Sequence, residues 1–120
     1  GKIIEVARPG YVLDDRILLI VEEGNLLKAI GKKGVKIKQI ENLLKKKIKV
    51  VEFNDDVKSF IKNMLYPIEI SNIYIDNDVV NVEVNGTALK SKVIGRDSRN
   101  LKKLKSIVSR YFKIKDIKVV

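Results

Sequence analysis

The stretch Ile30-Gly31-Lys32-Lys33-Gly34-Val35-Lys36-Ile37-Lys38-Gln39-Ile40 brackets two lysines with glycines and continues with apolar residues at Ile37, Ile40, Leu43 and Leu44. That spacing predicts one apolar helix face beginning at a glycine loop. Such a loop suits anions. Glycine lets backbone approach a ligand closely, the N–H groups that open a helix carry partial positive charge, and Lys32 and Lys33 add full charges. Taken alone, the same residues can instead be a helix end at Gly31 and a turn at Gly34.

A second copy weighs against that plainer reading. Sixty-four residues on, the chain reads Ile94-Gly95-Arg96-Asp97-Ser98-Arg99-Asn100-Leu101-Lys102-Lys103-Leu104, with helical spacing carried through Ile107, Val108, Tyr111 and Phe112. A repeat is a statement about architecture. Charge follows it: residues 28–49 hold nine lysines and one acid, residues 90–115 ten basic residues and one acid, so these segments carry +8 and +9 and the remainder −7 of the net +10. Basic charge gathered on two matched motifs marks a polyanion footprint.

A chain of 120 residues with 45% apolar and 33% charged residues is expected to fold, as one ordinary domain or two very small ones. It has no cysteine and no histidine, which removes disulfides, thiolate metal sites and the commonest general base. The longest apolar run, Ile17 to Val21, is too short to span a bilayer, and no segment reads as a signal peptide. A cytoplasmic protein without cofactor is expected.

In chain order, Lys2 to Ala7 and Arg16 to Val21 read as strands, the second apolar enough to be covered on both faces. Asn25 can cap a short helix, Leu26 to Ile30, and the glycine loop leads to a longer one, Val35 to Lys46, with Ile48 to Phe53 as a closing strand. In the second half, Asn54 or Asp55 can cap a helix bearing Val57, Phe60, Ile61, Met64 and Leu65, ended before Pro67. Glu69 to Ile75 and Val79 to Val84 read as strands about an Asp76-Asn77-Asp78 turn. Thr87 can cap a helix from Ala88 to Ile94, Ser98 to Phe112 forms a long helix that Ser98 can cap, and Lys115 to Val120 closes the chain. Each half reads strand, strand, helix, loop, helix, strand, with a leading helix only in the second. Halves joined so tightly are expected to pack together.

Both halves resemble KH domains of the prokaryotic type. The tandem, with Asp15-Arg16-Ile17 before the second strand and Ala29-Ile30-Gly31-Lys32-Lys33-Gly34 after it, is similar to the archaeal NusA-like transcription factors, and the likeness covers nearly the whole chain. It implies an α+β fold of two tandem type II KH domains, 1–53 and 54–120, each a three-stranded mixed sheet packed by helices. It also implies a monomeric single-stranded RNA binder acting in transcription elongation, termination or antitermination, with RNA polymerase as a further candidate partner. KH modules clamp about four nucleotides of backbone at the loop between their helices. Carried over, Gly31, Lys32, Lys33 and Gly34 would hold phosphates. Lys28, Val35, Lys36, Ile37 and Lys49 to Val51 are the neighbouring positions for RNA contacts, and Lys92, Gly95, Arg96, Ser98 and Arg99 form the second surface. Ile37 has a second reading, as core alone. The second loop departs from the pattern: Ser98 replaces the second glycine, and Asp97 sets a carboxylate where a phosphate would approach.

The runner-up is a ribosomal RNA-binding or ribosome-assembly KH protein, and a pure protein-interaction module comes third. An enzyme ranks last, because the chain has no Walker-type G-x-x-x-x-G-K-[ST] and no spaced carboxylate set beyond acids that suit caps and turns.

Overall fold

The computed structural model describes residues 3–7, 17–23 and 35–120, with side chains at 18–23 and 37–120. The expected short helix at 26–30 and the glycine loop at 31–34 lie outside these residues.

Strands β1 (Ile3–Ala7), β2 (Ile17–Val21) and β3 (Ile48–Glu52) form one sheet in that order, with β2 antiparallel to β1 and parallel to β3. Strands β4 (Asn72–Asp76), β5 (Val79–Glu83) and β6 (Asp116–Val119) repeat the same order and the same mixed pairing. Helix α1 (Val35–Leu44) precedes β3, α2 (Val57–Leu65) lies between the sheets, and α3 (Thr87–Ile94) and α4 (Arg99–Tyr111) lie between β5 and β6. Parallel neighbours require a crossover, and in the second half α3 and α4 supply it.

Leu18, Leu19, Ile20 and Val21 are all buried, as expected of a strand covered on both faces. Successive side chains of a strand point to opposite faces, so Leu18 and Ile20 look one way and Leu19 and Val21 the other. Leu18, Ile20 and Val51 join the core that Phe60, Ile61, Met64 and Leu65 of α2 build with Val80, Val82, Leu104, Ile107, Val108 and Ile117. One apolar core thus runs through both halves, and α2 is the element between them.

Burying those four α2 side chains is worth on the order of 6–10 kcal/mol by transfer. A helix of nine residues gains far less from its own hydrogen bonds, so α2 exists because of this packing. Its cap is Asp56 rather than Asn54 or Asp55. Asp56 Oδ2 accepts from Ser59 N at 3.2 Å and from the Ser59 hydroxyl at 2.8 Å, while Asn54 Oδ1 accepts from Asp56 N at 2.8 Å. The Ser59 hydroxyl is the largest influence holding the Asp56 carboxyl below its ordinary range.

Three ties fasten β3 and the chain beyond it to the second half. Lys49 Nζ donates to the carbonyl oxygens of Met64 and Tyr66, each at 2.7 Å, at the negative end of α2. Asn63 Nδ2 donates to Glu52 O at 2.9 Å. Phe53 packs its ring 5.2 Å from Phe60, 5.3 Å from Tyr111 and 5.8 Å from Phe112, centroid to centroid. The expected packing of the halves is therefore made through named contacts.

Helix α1 stops two residues before its expected end. Lys45 turns left-handed at φ 54, and the Lys46 N–H returns to Glu41 O at 3.3 Å. Glu41 Oε2 also accepts from Ile48 N at 2.7 Å, which drives the chain into β3. One consequence runs against the periodic pattern: Leu43 and Leu44 are 83% and 52% exposed, whereas Ile107 and Val108 at the equivalent places in α4 are buried.

Candidate nucleic-acid interface

The second of the two matched motifs lies wholly within the described residues. Helix α3 ends as Gly95 N donates to Ser91 O at 2.8 Å, and Gly95 adopts φ 76, ψ 170, a conformation essentially confined to glycine. A short 3₁₀ turn, Arg96–Ser98, follows, closed by Ser98 N on Gly95 O at 3.2 Å. Asp97 (φ 57, ψ 31) and Ser98 (φ 59, ψ 22) are both left-handed, and α4 begins at Arg99.

Two features lock this bend. Asn100 Nδ2 donates to Lys92 O at 3.0 Å, tying the first turn of α4 to the last turn of α3. A Cβ on Gly95 would lie 2.7 Å from Asn100 Cγ, 2.8 Å from its Nδ2 and 2.9 Å from its backbone N. Only glycine lets the two helices meet this closely.

The turn presents Arg96, Asp97 and Arg99 to solvent, with Lys92 exposed on the last turn of α3 and Lys102 on α4. Ser98 holds the N-cap position, yet it makes no side-chain capping bond, so the expected hydroxyl cap is absent. The left-handed backbone there does not meet the usual extended N-cap geometry. Gly86 likewise replaces Thr87 as the N-cap of α3. The N–H groups of Ser98 and Arg99 are closed onto Gly95 O and Arg96 O, so what the bend offers anions is the exposed charge of Arg96 and Arg99 at a helix start, with Asp97 opposing it.

In the first motif, Lys28, Gly31, Lys32, Lys33 and Gly34 lie outside the described residues. Val35 and Lys36 open α1, and Ile37 is half-buried beside them. Lys49 is directed to the end of α2 by its two carbonyl partners. Val51 is buried in the core and Val50 is half-buried on β3, which stands at an edge of its sheet. Asn100 was not among the expected site residues, and its role rests on a backbone partner eight residues away that no periodicity signals.

Two acids have local duties. Asp56 caps α2, and Asp116, at the start of β6, pairs with Lys105, whose ammonium is the main cause of a carboxyl held below its ordinary range, with Ile117 N adding a hydrogen bond at 2.8 Å. Among the described residues, no three acidic side chains converge as a metal site would need, and no helix is long and apolar enough to cross a membrane.

Comparison with known proteins gives a consistent set of relatives. A family model described as the NusA-like second KH domain matches residues 57–120, beginning at the first residue of α2. A probable transcription termination protein NusA from Methanococcus vannielii is 37% identical over 111 residues, covering 89% of this chain and 64% of that protein. The protein of the same name from Methanocaldococcus jannaschii is 34% identical over 110 residues, covering 89% and 60%, and that from Halococcus morrhuae is 32% identical over 109 residues, covering 88% and 78%. The chain thus spans somewhat under two thirds of the first two relatives. Among solved structures, the crystal structure of APE1850 matches with a TM-score of 0.61 and 28% identity, covering 88% of this chain and 78% of that one.

Proposed function

Because the chain belongs to the NusA-like family of KH-domain proteins, we propose that it binds single-stranded RNA and acts in transcription elongation, termination or antitermination. It is a binder in this reading, with no chemistry of its own, and RNA polymerase is the protein on which its RNA contacts would bear. The relatives' names carry the transcriptional half of the proposal.

The RNA half rests on one observation, the concentration of positive charge onto two matched turns, +8 over residues 28–49 and +9 over residues 90–115. Two tandem type II KH domains, 1–53 and 54–120, account for this pattern. The repeated mixed sheet supports them, as does the start of the family match at α2. In the first, Gly31, Lys32, Lys33 and Gly34 hold RNA phosphates, with Lys28, Val35 and Lys36 beside them. Lys49 contributes its field from the end of α2. In the second, Lys92, Gly95, Arg96, Ser98 and Arg99 extend the surface. Asp97 makes that clamp the weaker one, since a carboxylate at the tip of the turn repels an approaching phosphate.

The test is fluorescence anisotropy with short unstructured RNA, matched DNA and duplex RNA across salt concentrations. For about five phosphate contacts on a single strand, log K should fall against log salt with a slope near −3.5, at roughly −0.7 per contact. Lys32→Asp with Lys33→Asp should abolish a preference for single-stranded RNA. Equal weak binding to all three nucleic acids, unmoved by that change, would refute the proposal.

A further inference from the structure

Outside the two basic turns, the junction of the halves holds a hollow of about 360 Å³, lined by Val50, Val51 and Glu52 of β3 and by Lys62, Asn63 and Tyr66 at the end of α2. We infer that this hollow seats one unpaired RNA base, stacked on the Tyr66 ring. The inference rests on the RNA-binding reading and adds to it a base site between the halves, lined by residues that belong to neither glycine motif.

Three observations carry it. The first is the ring itself. Tyr66 is 72% exposed, the most exposed aromatic side chain among the described residues, whereas Phe60 is completely buried. An aromatic face left in water beside a hollow gains most from a flat partner, and every base has one. The second is the chemistry of the lining. Its one carboxylate and one ammonium cancel, so it is no phosphate cradle. Half-buried Val50 supplies an apolar surface, while Glu52 and Asn63 supply the acceptors and donors that read a base edge. Its volume is at the small end for ligand sites, which suits a single base better than a length of peptide.

The third is rigidity. Asn63 Nδ2 holds Glu52 O at 2.9 Å, and Lys49 Nζ holds the carbonyls of Met64 and Tyr66, each at 2.7 Å, so both walls are fixed to each other before anything binds. A preformed seat spares a ligand the cost of ordering it. The ring is also dispensable for folding by its exposure, and the backbone bonds of Tyr66, its N–H on Lys62 O and its carbonyl from Lys49, survive truncation of the side chain.

The experiment uses the whole chain and a set of short unstructured RNAs, each lacking one base at a different position, read by anisotropy. Tyr66→Ala should weaken binding of the intact RNA about tenfold, the size of one base–aromatic stack, and Tyr66→Phe should bind as the parent does. At one abasic position the parent and Tyr66→Ala should become equal. Unchanged affinity of Tyr66→Ala, with the parent binding and Lys32→Asp/Lys33→Asp failing to bind, overturns the base seat alone and leaves the hollow to a protein partner. Failure of the parent to bind any single-stranded RNA overturns the RNA reading and the seat with it.

Discussion

Replacing Gly95 by alanine tests the locked turn most directly. At φ 76, ψ 170 a side chain is strained by about 1–3 kcal/mol. The new Cβ would also lie 2.7 to 2.9 Å from three atoms of Asn100, one of them backbone. Asn100 must swing away and lose its bond to Lys92 O, about 0.5–1.5 kcal/mol. Alanine restricts the unfolded chain and returns roughly 0.4–1 kcal/mol. The net expectation is a loss of about 2–3 kcal/mol. Gly86→Ala is the internal control, because Gly86 has a comparable φ of 92 and no atom within 4 Å of its would-be Cβ. It should cost about 1 kcal/mol, from strain alone. Urea denaturation of both variants, and of each in an Asn100→Ala background, separates the terms. Removing the Asn100 side chain should soften Gly95→Ala and leave Gly86→Ala unchanged. Equal losses for the two glycines, or strict additivity of Gly95→Ala with Asn100→Ala, would refute the lock.

Two further outcomes are expected. Ser98 stands left-handed at φ 59 without a capping bond, so Ser98→Gly should stabilise by about 0.5–1 kcal/mol while Ser98→Val destabilises, and a lowered urea midpoint for Ser98→Gly would count against the reading. The folded Asp116 carboxyl lies below its ordinary range, chiefly through Lys105, so its contribution is present above the unfolded value of about 4 and is lost as pH falls through the folded one. Asp116→Asn should therefore flatten the acid loss of stability as pH falls from about 5 through and below the ordinary carboxylate range, by at most about 1 kcal/mol given a pair about one third exposed, and parallel curves for the two proteins would exclude the role.

The strands, α2, the bend at Gly95 and the pairing of the halves were legible because each leaves a local mark: alternation, a 3.6-residue stripe, a glycine beside basic residues, a repeat. The details that depend on distant partners were not. Asn54, Asp55 and Asp56 are equally good caps by type, and the choice of Asp56 falls to Ser59, placed to give both its N–H and its hydroxyl. Leu43 and Leu44 keep the helical period of buried residues but α1 ends at Leu44, and the chain is turned into β3 by Glu41 before that face is used. The family resemblance places Lys49 among the positions for RNA contacts, while its ammonium goes to the carbonyls that α2 leaves without partners. Asn100 sits within the second copy at a position whose role no pattern signals, and Tyr66 belongs to no motif. Their meaning comes from a carbonyl and a hollow that only the folded chain brings to them.

The same ties decide how two RNA clamps on this chain would cooperate. Between tethered modules, the second contact gains from an effective concentration set by linker length and lost order. Here the connection is a few residues at 53–56, and its first residue, Phe53, is packed among Phe60, Tyr111 and Phe112. Lys49 and Asn63 add hydrogen bonds on either side of the Val50–Val51 segment. Halves joined through one core cannot adjust their spacing to the ligand, so the RNA must supply the conformation that spans them. On the proposed reading, an RNA backbone that matched the spacing would meet both surfaces without any change in how the halves are joined, and one held in a duplex would not, because its bases are unavailable to a seat between the halves. The discrimination of single-stranded from paired RNA would in this way follow from the rigidity of the junction as much as from the charge on the turns.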